Sequence, residues 1–221
     1  IQSSIVLLKR GEDRFGIERS ATRLHCSREL LVAPTERHAP GGRSARADLA
    51  ASGVRIESGF DLTAPGVGDQ LARSLGRDDI SLLIHNAGIL HDDSLGAIDP
   101  DQIRTQFEIN ALAPLRLSAA LVPRMSRGAK IALITSRMGS IADNTSGGYY
   151  GYRMSKAALN AARRSLAIDL APRGVMVAML HPGFVQTPMT GGRGDVDAAT
   201  AARNLLARSD AMTPATSGSF L

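Results

Sequence analysis

The run Ile80-Ser-Leu-Leu-Ile-His-Asn-Ala-Gly88 is a short apolar stretch that breaks off in small residues. Such a run reads as a strand of a covered parallel sheet giving way to a loop at the sheet's edge. Small side chains at that edge let a flat ligand approach the backbone. Working outward, Val54 to Ile56, Lys130 to Thr135 and Val175 to Leu180 are further apolar runs. Longer helical stretches separate them: Gly66 to Leu75, Asp101 to Met125 and Tyr152 to Leu170, with Val196 to Ala207 following the last run. Short strands alternating with helices predict βαβ units. The expected fold is therefore α/β, a single doubly wound Rossmann-like domain over residues 1–221 with a mostly parallel sheet.

Local signals sharpen this reading. Asp99 precedes Pro100, so the second helix has a capping carboxylate and a proline at its first position. Ile103, Phe107, Ala111 and Leu115 recur near the helical period, and Pro114 inside the pattern predicts a kink. Ser4 to Leu8 reads as an opening strand, while Lys9 to Gly42 carries charges without a clear amphipathic helix. Ser217 to Leu221 looks like a strand cut off by the end of the chain.

Composition excludes several classes. The 221 residues are 43% hydrophobic, 21% charged and 4% aromatic, the profile of a globular chain rather than a disordered one. No apolar run reaches the ~18 residues of a membrane span, and the opening residues do not have the charge order of a secretory signal, so a cytoplasmic protein is expected. The single cysteine, Cys26, supports neither an internal disulfide nor a structural zinc site, and no metal is expected. The net charge is +5, but it comes from scattered arginines with only three lysines. No basic stripe interleaved with aromatics accompanies it, which argues against nucleic acid.

Chemistry concentrates in Tyr152-Arg-Met-Ser-Lys156. Residues four apart on a helix project from nearly one face, so the ammonium can sit beside the phenol. Moving a phenol from a pKa of about 10 to about 7 takes roughly 4 kcal/mol, which a neighbouring cation in a dry cleft can supply. Such a tyrosine exchanges a proton with a substrate oxygen. Tyr149 and Tyr150 lack a lysine at that spacing. Ser136 ends the run Ile131-Ala-Leu-Ile-Thr-Ser136, and in a parallel sheet that carboxyl end faces the ligand crevice. His85 has no second histidine at metal spacing and reads as a packed or hydrogen-bonded side chain.

Taken together, Asn86-Ala87-Gly88, Asn110, Ser136, Tyr152 with Lys156, and Pro182-Gly183-Phe-Val185-Gln-Thr187 resemble the short-chain dehydrogenase/reductase family in order and approximate spacing. The resemblance spans residues 44–221. Asp143-Asn-Thr-Ser-Gly-Gly-Tyr-Tyr-Gly-Tyr152 is similar to its C-factor and sniffer-type carbonyl reductase branch. It implies an NAD(P)-dependent enzyme interconverting a small carbonyl compound and its alcohol, and it allows a homo-oligomer. By the same resemblance, Tyr152 is the general acid/base and Lys156 lowers its pKa while holding the nicotinamide ribose. Ser136 hydrogen-bonds the carbonyl oxygen where negative charge develops. Asn110 holds a water that links Lys156 to solvent. Pro182, Gly183, Val185 and Thr187 meet the nicotinamide, Asn86 to Gly88 border the crevice, and Asp61 and Leu62 contact the adenine.

The resemblance breaks at the amino end. Relatives carry a glycine-rich turn, Thr-Gly-x-x-x-Gly-x-Gly, whose amides receive the pyrophosphate. Here the corresponding stretch is Lys9-Arg-Gly11-Glu-Asp-Arg-Phe-Gly16-Ile17-Glu18, one residue too long between glycines, with Glu18 where the last glycine stands. A carboxylate beside a pyrophosphate repels it. Gly11, Gly16 and Ile17 are the cofactor-binding candidates that remain. An altered loop, a catalytically silent relative acting as a signalling module, and a shifted reading frame over residues 9–42 all fit. The abrupt resumption near Ala45 favours the last. Glu36 and Arg37 lie where NAD and NADP are told apart, and Arg37, Arg43 and Arg46 tilt the expectation towards NADPH.

Overall fold

A computed structural model describes residues 5–9, 29–34 and 55–221. Six strands form one sheet in the order β3-β2-β1-β4-β5-β6. They are β1 (Ile5–Lys9), β2 (Glu29–Pro34), β3 (Arg55–Phe60), β4 (Ile80–His85), β5 (Met125–Ile134) and β6 (Met176–Leu180). The pairs β2–β3, β4–β5 and β5–β6 are parallel, whereas β1 runs antiparallel to both neighbours. Five strands thus share one direction, and the mostly parallel sheet is as expected. The reversed β1 is not: Ile5 lies opposite His85 and Lys9 opposite Ile80, so β1 ends at the edge remote from the carboxyl end of β4. Gly11, Gly16, Ile17, Cys26, Glu36, Arg37, Arg43 and Arg46 lie outside the described residues.

Helices α1 (Val67–Ser74), α2 (Pro100–Phe107), α3 (Ala113–Leu121), α4 (Tyr150–Leu170) and α5 (Ala198–Asp210) complete the frame. Alternation along the strands sorts the core into two layers. Leu83, Ile131, Leu133, Val177 and Met179 pack with Leu71 of α1, Leu117 and Leu121 of α3 and Leu159 of α4. Leu82, Ile84, Ala132 and Leu180 face the other way, against Leu205 and Leu206 of α5. Covering both faces explains why the strands lack polar alternation. Ser219 and Leu221 hydrogen-bond to Met179 beside β6, and Phe220 makes an isolated parallel bridge there.

The helical run around Pro114 is not regular. The backbone instead widens into a π-turn over Glu108–Leu112, and Pro114 sits in the first turn of α3. Pro114 has no N–H to donate to the Asn110 carbonyl four residues earlier, and Ala113 N reaches back to Glu108 O. At the amino end of α2 the Asp99 carboxylate accepts from the amides of Asp101 and Gln102, as the sequence predicts. Among the described residues no helix is long and apolar enough to cross a membrane.

Helices α1 and α3 touch through Gly68, where an added Cβ would lie 2.6 Å from Ala120 Cβ. Gly68→Val should therefore destabilise the chain by about 1–3 kcal/mol, because overpacking outweighs the few tenths gained in helix propensity. Urea unfolding checks this; an unchanged midpoint would contradict the close packing of the two helices.

Candidate active site

The shared strand direction brings four loops to one edge of the sheet: Asp61-Leu62 after β3, Asn86 to Gly88 after β4, Ser136 after β5 and Pro182 to Thr187 after β6. Helix α4 starts at that edge and buries Tyr152, Ser155 and Lys156 on its sheet-facing side. Its approach depends on Gly139, where a Cβ would come within 2.9 Å of Lys156 Cβ. Asn160 secures the contact, accepting from Thr135 Oγ1 (3.1 Å) and donating to Gly139 O (3.1 Å).

The structure brings Tyr152, Ser136 and Lys156 together. The phenol is 8% exposed and interacts through a hydrogen bond with the Ser136 side chain, whose Oγ also accepts from Met138 N at 3.2 Å. Lys156 Nζ lies 5.6 Å from the Tyr152 ring centroid and donates to Ile134 O at 3.1 Å. Burial sets the proton affinities. It pushes the Tyr152 phenol above its ordinary value, opposed in part by the Ser136 hydrogen bond. It also pulls Lys156 down to about 8. Burial and the Ser136 side chain, rather than the Lys156 ammonium, set the phenol's proton affinity in this geometry.

Asn110, buried in the π-turn, donates through Nδ2 to Ile89 O (2.9 Å) and Ser155 Oγ (3.0 Å), and its Oδ1 accepts from Ile89 N (2.9 Å). Ser155 Oγ in turn donates to Tyr152 O at 2.8 Å. Asn110 thus ties the loop after β4 to α4. A Cβ on Gly88 would lie 3.4 Å from Asn110 Oδ1 and 3.6 Å from Lys156 Nζ, so Gly88, Asn110 and Lys156 share one small space.

A family model described as enoyl-(acyl carrier protein) reductase matches residues 16–217. The 1-hydroxy-2-glutathionyl-2-methyl-3-butene dehydrogenase of Rhodococcus sp. (strain AD45) is 43% identical over 180 residues, covering 79% of this chain and 80% of that protein. The chain belongs to the short-chain dehydrogenase/reductase family. The C-signal protein of Myxococcus xanthus is 46% identical over 144 residues, 64% of this chain and 87% of that protein. Among solved structures, the carbonyl reductase Sniffer of D. melanogaster superposes with a TM-score of 0.78 at 28% identity, covering 87% of this chain and 84% of that one. Similar structures from other sources hold NADPH or NADP, the carbonyl reductase from chicken fatty liver among them.

The chain is thus an NAD(P)-dependent oxidoreductase of the short-chain dehydrogenase/reductase family, and its edge suits such a dinucleotide. Gly88 leaves bare backbone beside the ammonium, in a space that a Cβ would fill. Lys156 Nζ has three donors and gives one to Ile134 O, so the others can meet ribose hydroxyls. Thr187 is buried at the start of a short turn, and Gly183 (φ 86°) packs close to Val196. The outer loop after β3 is held differently. The Asp61 carboxylate accepts from Thr63 N (2.9 Å) and Thr63 Oγ1 (2.7 Å), and the Leu62 side chain lies in the core. His85 is a packed residue: Nε2 lies 2.9 Å from Ser118 Oγ, and burial pulls its pKa to about 3. Among the described residues no group of acidic, histidine or cysteine side chains could hold a metal ion.

Ser155, Asn160 and Asp93 escaped the sequence reading. Ser155 stands beside Lys156, three residues after Tyr152, and that spacing signals a shared face. Asp93 gives no local signal, because it serves a helix 57 residues away.

A buried Lys156 destabilises the fold while it is charged. Its folded pKa of about 8 lies below the ordinary 10.5. The penalty is therefore full below about pH 8 and disappears as pH rises towards 10.5. Lys156→Met should raise stability at pH 7 by up to roughly 3 kcal/mol, with the gain shrinking above pH 8. Urea unfolding at a series of pH values checks this; equal stability of the two forms at pH 7 would contradict a desolvated ammonium.

Proposed function

We propose that this chain interconverts a carbonyl compound and its alcohol on a small molecule, with Tyr152 as the general acid/base. The observation that carries the reading is the Tyr152 phenol, buried at the carboxyl edge, hydrogen-bonded with Ser136 and flanked by Lys156. A substrate oxygen lodged between the two hydroxyls receives a hydrogen bond from Ser136 and a proton from Tyr152. The bound dinucleotide would supply the hydride in reduction and accept it in oxidation. Lys156 would hold the ribose hydroxyls and Pro182, Gly183, Val185 and Thr187 the nicotinamide end. Asn86, Ala87 and Gly88 would line its path, with Asp61 and Leu62 at the adenine and Gly11, Gly16 and Ile17 at the pyrophosphate. Asn110 would keep a water in reach of Lys156, so that the proton lost from Tyr152 is restored from solvent.

A phenol whose pKa burial raises is protonated at neutral pH, the state that a general acid in reduction requires. NADPH is the preferred donor in this reading, in keeping with Arg37, Arg43 and Arg46 and with the NADPH-bound carbonyl reductase among similar structures. A second reading, a silent family member that binds nucleotide as a signalling module, draws on the likeness to C-signal and on Glu18 in the glycine-rich stretch.

Fluorescence titration with NADPH and NADH, followed by turnover on small aldehydes and ketones, separates the two. The enzyme reading expects binding, and it expects Tyr152→Phe to abolish turnover with cofactor affinity nearly unchanged. No binding at millimolar concentration, or full turnover by Tyr152→Phe, would overturn it.

A further inference from the structure

We propose that Asp93 is the amino-terminal cap of α4 and, resting on the reductase reading, the residue that positions Tyr152 for proton transfer. Helix α4 has no cap of its own. The residue before it is Tyr149, which makes no side-chain capping bond and adopts φ 52° and ψ 41°. Among the described residues Tyr149 is the one non-glycine position with positive φ. That turn presents three successive amides to one residue. Tyr149 N donates to Asp93 O at 2.9 Å, Gly151 N donates to Asp93 Oδ2 at 3.0 Å, and Tyr150 N donates to Asp93 Oδ1. Successive amides gathered in this way form an anion-binding nest, and the positive end of the helix dipole reinforces it. The anion here is the chain's own carboxylate, only 8% exposed.

The fit around it is specific. Gly151 closes the nest, and a Cβ there would lie 3.1 Å from Asp93 Oδ2 and 3.0 Å from Ile103 Cγ1, and would collide with Gln106 Nε2. Gln106 is itself fully buried and accepts from His91 N at 3.0 Å. The loop leaving β4 is therefore held at Ile89 by Asn110, at His91 by Gln106 and at Asp93 by α4. This loop carries Gly88, and α4 carries Tyr152 one residue beyond Gly151. Asp93 is where the two lock in register. The Asp93 carboxylate bonds to the amides of Tyr150 and Gly151, so it acts on the phenol through the first turn of the helix.

The test compares the wild-type chain with Asp93→Ala and Asp93→Asn, the latter keeping one acceptor oxygen. The chain has three tyrosines and no tryptophan, so the tyrosinate absorbance step that Tyr152→Phe removes belongs to Tyr152. In Asp93→Ala this step should move down towards the ordinary value as the first turn loosens and the phenol gains water, with Asp93→Asn intermediate. Turnover of small aldehydes and ketones with NADPH should fall about tenfold or more in kcat, with KM for NADPH within about twofold, since misplaced reacting groups cost rate before affinity. Asp93→Asn should recover part of the loss. A lowered melting temperature with both the Tyr152 step and kcat unchanged would reduce Asp93 to a structural cap and overturn the proposal. If the wild type turns over nothing, the reductase reading fails, and the titration alone decides Asp93: a step unmoved in Asp93→Ala overturns it, and a lowered step sustains it.

Discussion

The buried face of α4, where Tyr152 and Lys156 leave water together, is the constraint on which the rest depends. Burying an ammonium costs free energy, and the chain recovers part of it through a single bond to Ile134 O. The cost appears as a lysine whose pKa falls to about 8 and a phenol pushed above its ordinary range. At neutral pH the pair is then an ammonium beside an intact phenol. That state has a proton to give, a cation for a polar ligand and no stored negative charge. A stabler core could have been built with an apolar residue at Lys156, so its presence is better explained by chemistry than by folding.

Everything around the pair serves to bring α4 close and keep it aligned. Gly139 removes the side chain that would hold the helix off β5, and Asn160 bridges the gap that remains. Asn110 joins Ile89 to Ser155 and thereby fixes the loop after β4 against the same helix. The π-turn that presents Asn110 arises where Pro114 cannot complete the regular ladder. A local defect in helix geometry thus places a buried amide where a straight helix would not. Asp93 closes the frame at the start of α4.

Much of this was legible from residue order. The apolar runs at Ile80 and Lys130 gave strands, Asp99-Pro100 gave the start of α2, and the Tyr152–Lys156 spacing gave one helix face, because each signal is local. The outcomes that escaped are nonlocal. The direction of β1 is set by pairing with distant segments, Ile5 with Val32 of β2 and with His85 of β4. Capping of α4 by Asp93 spans 57 residues. Tyr149, a residue unsuited to capping, was the one local hint that α4 needs a remote partner. The phenol's proton affinity also escaped, because spacing reveals which charges are near but not how much water burial removes.

The pH dependence of carbonyl reduction by the wild-type chain tests the central claim most directly. With the phenol kept protonated by burial, kcat should stay level through neutral pH and decline only in the alkaline range, above about pH 8, where Lys156 begins to lose its proton. A decline centred near pH 7, as a strongly acidified phenol would produce, or a rate that climbs as pH rises through neutrality, would contradict it.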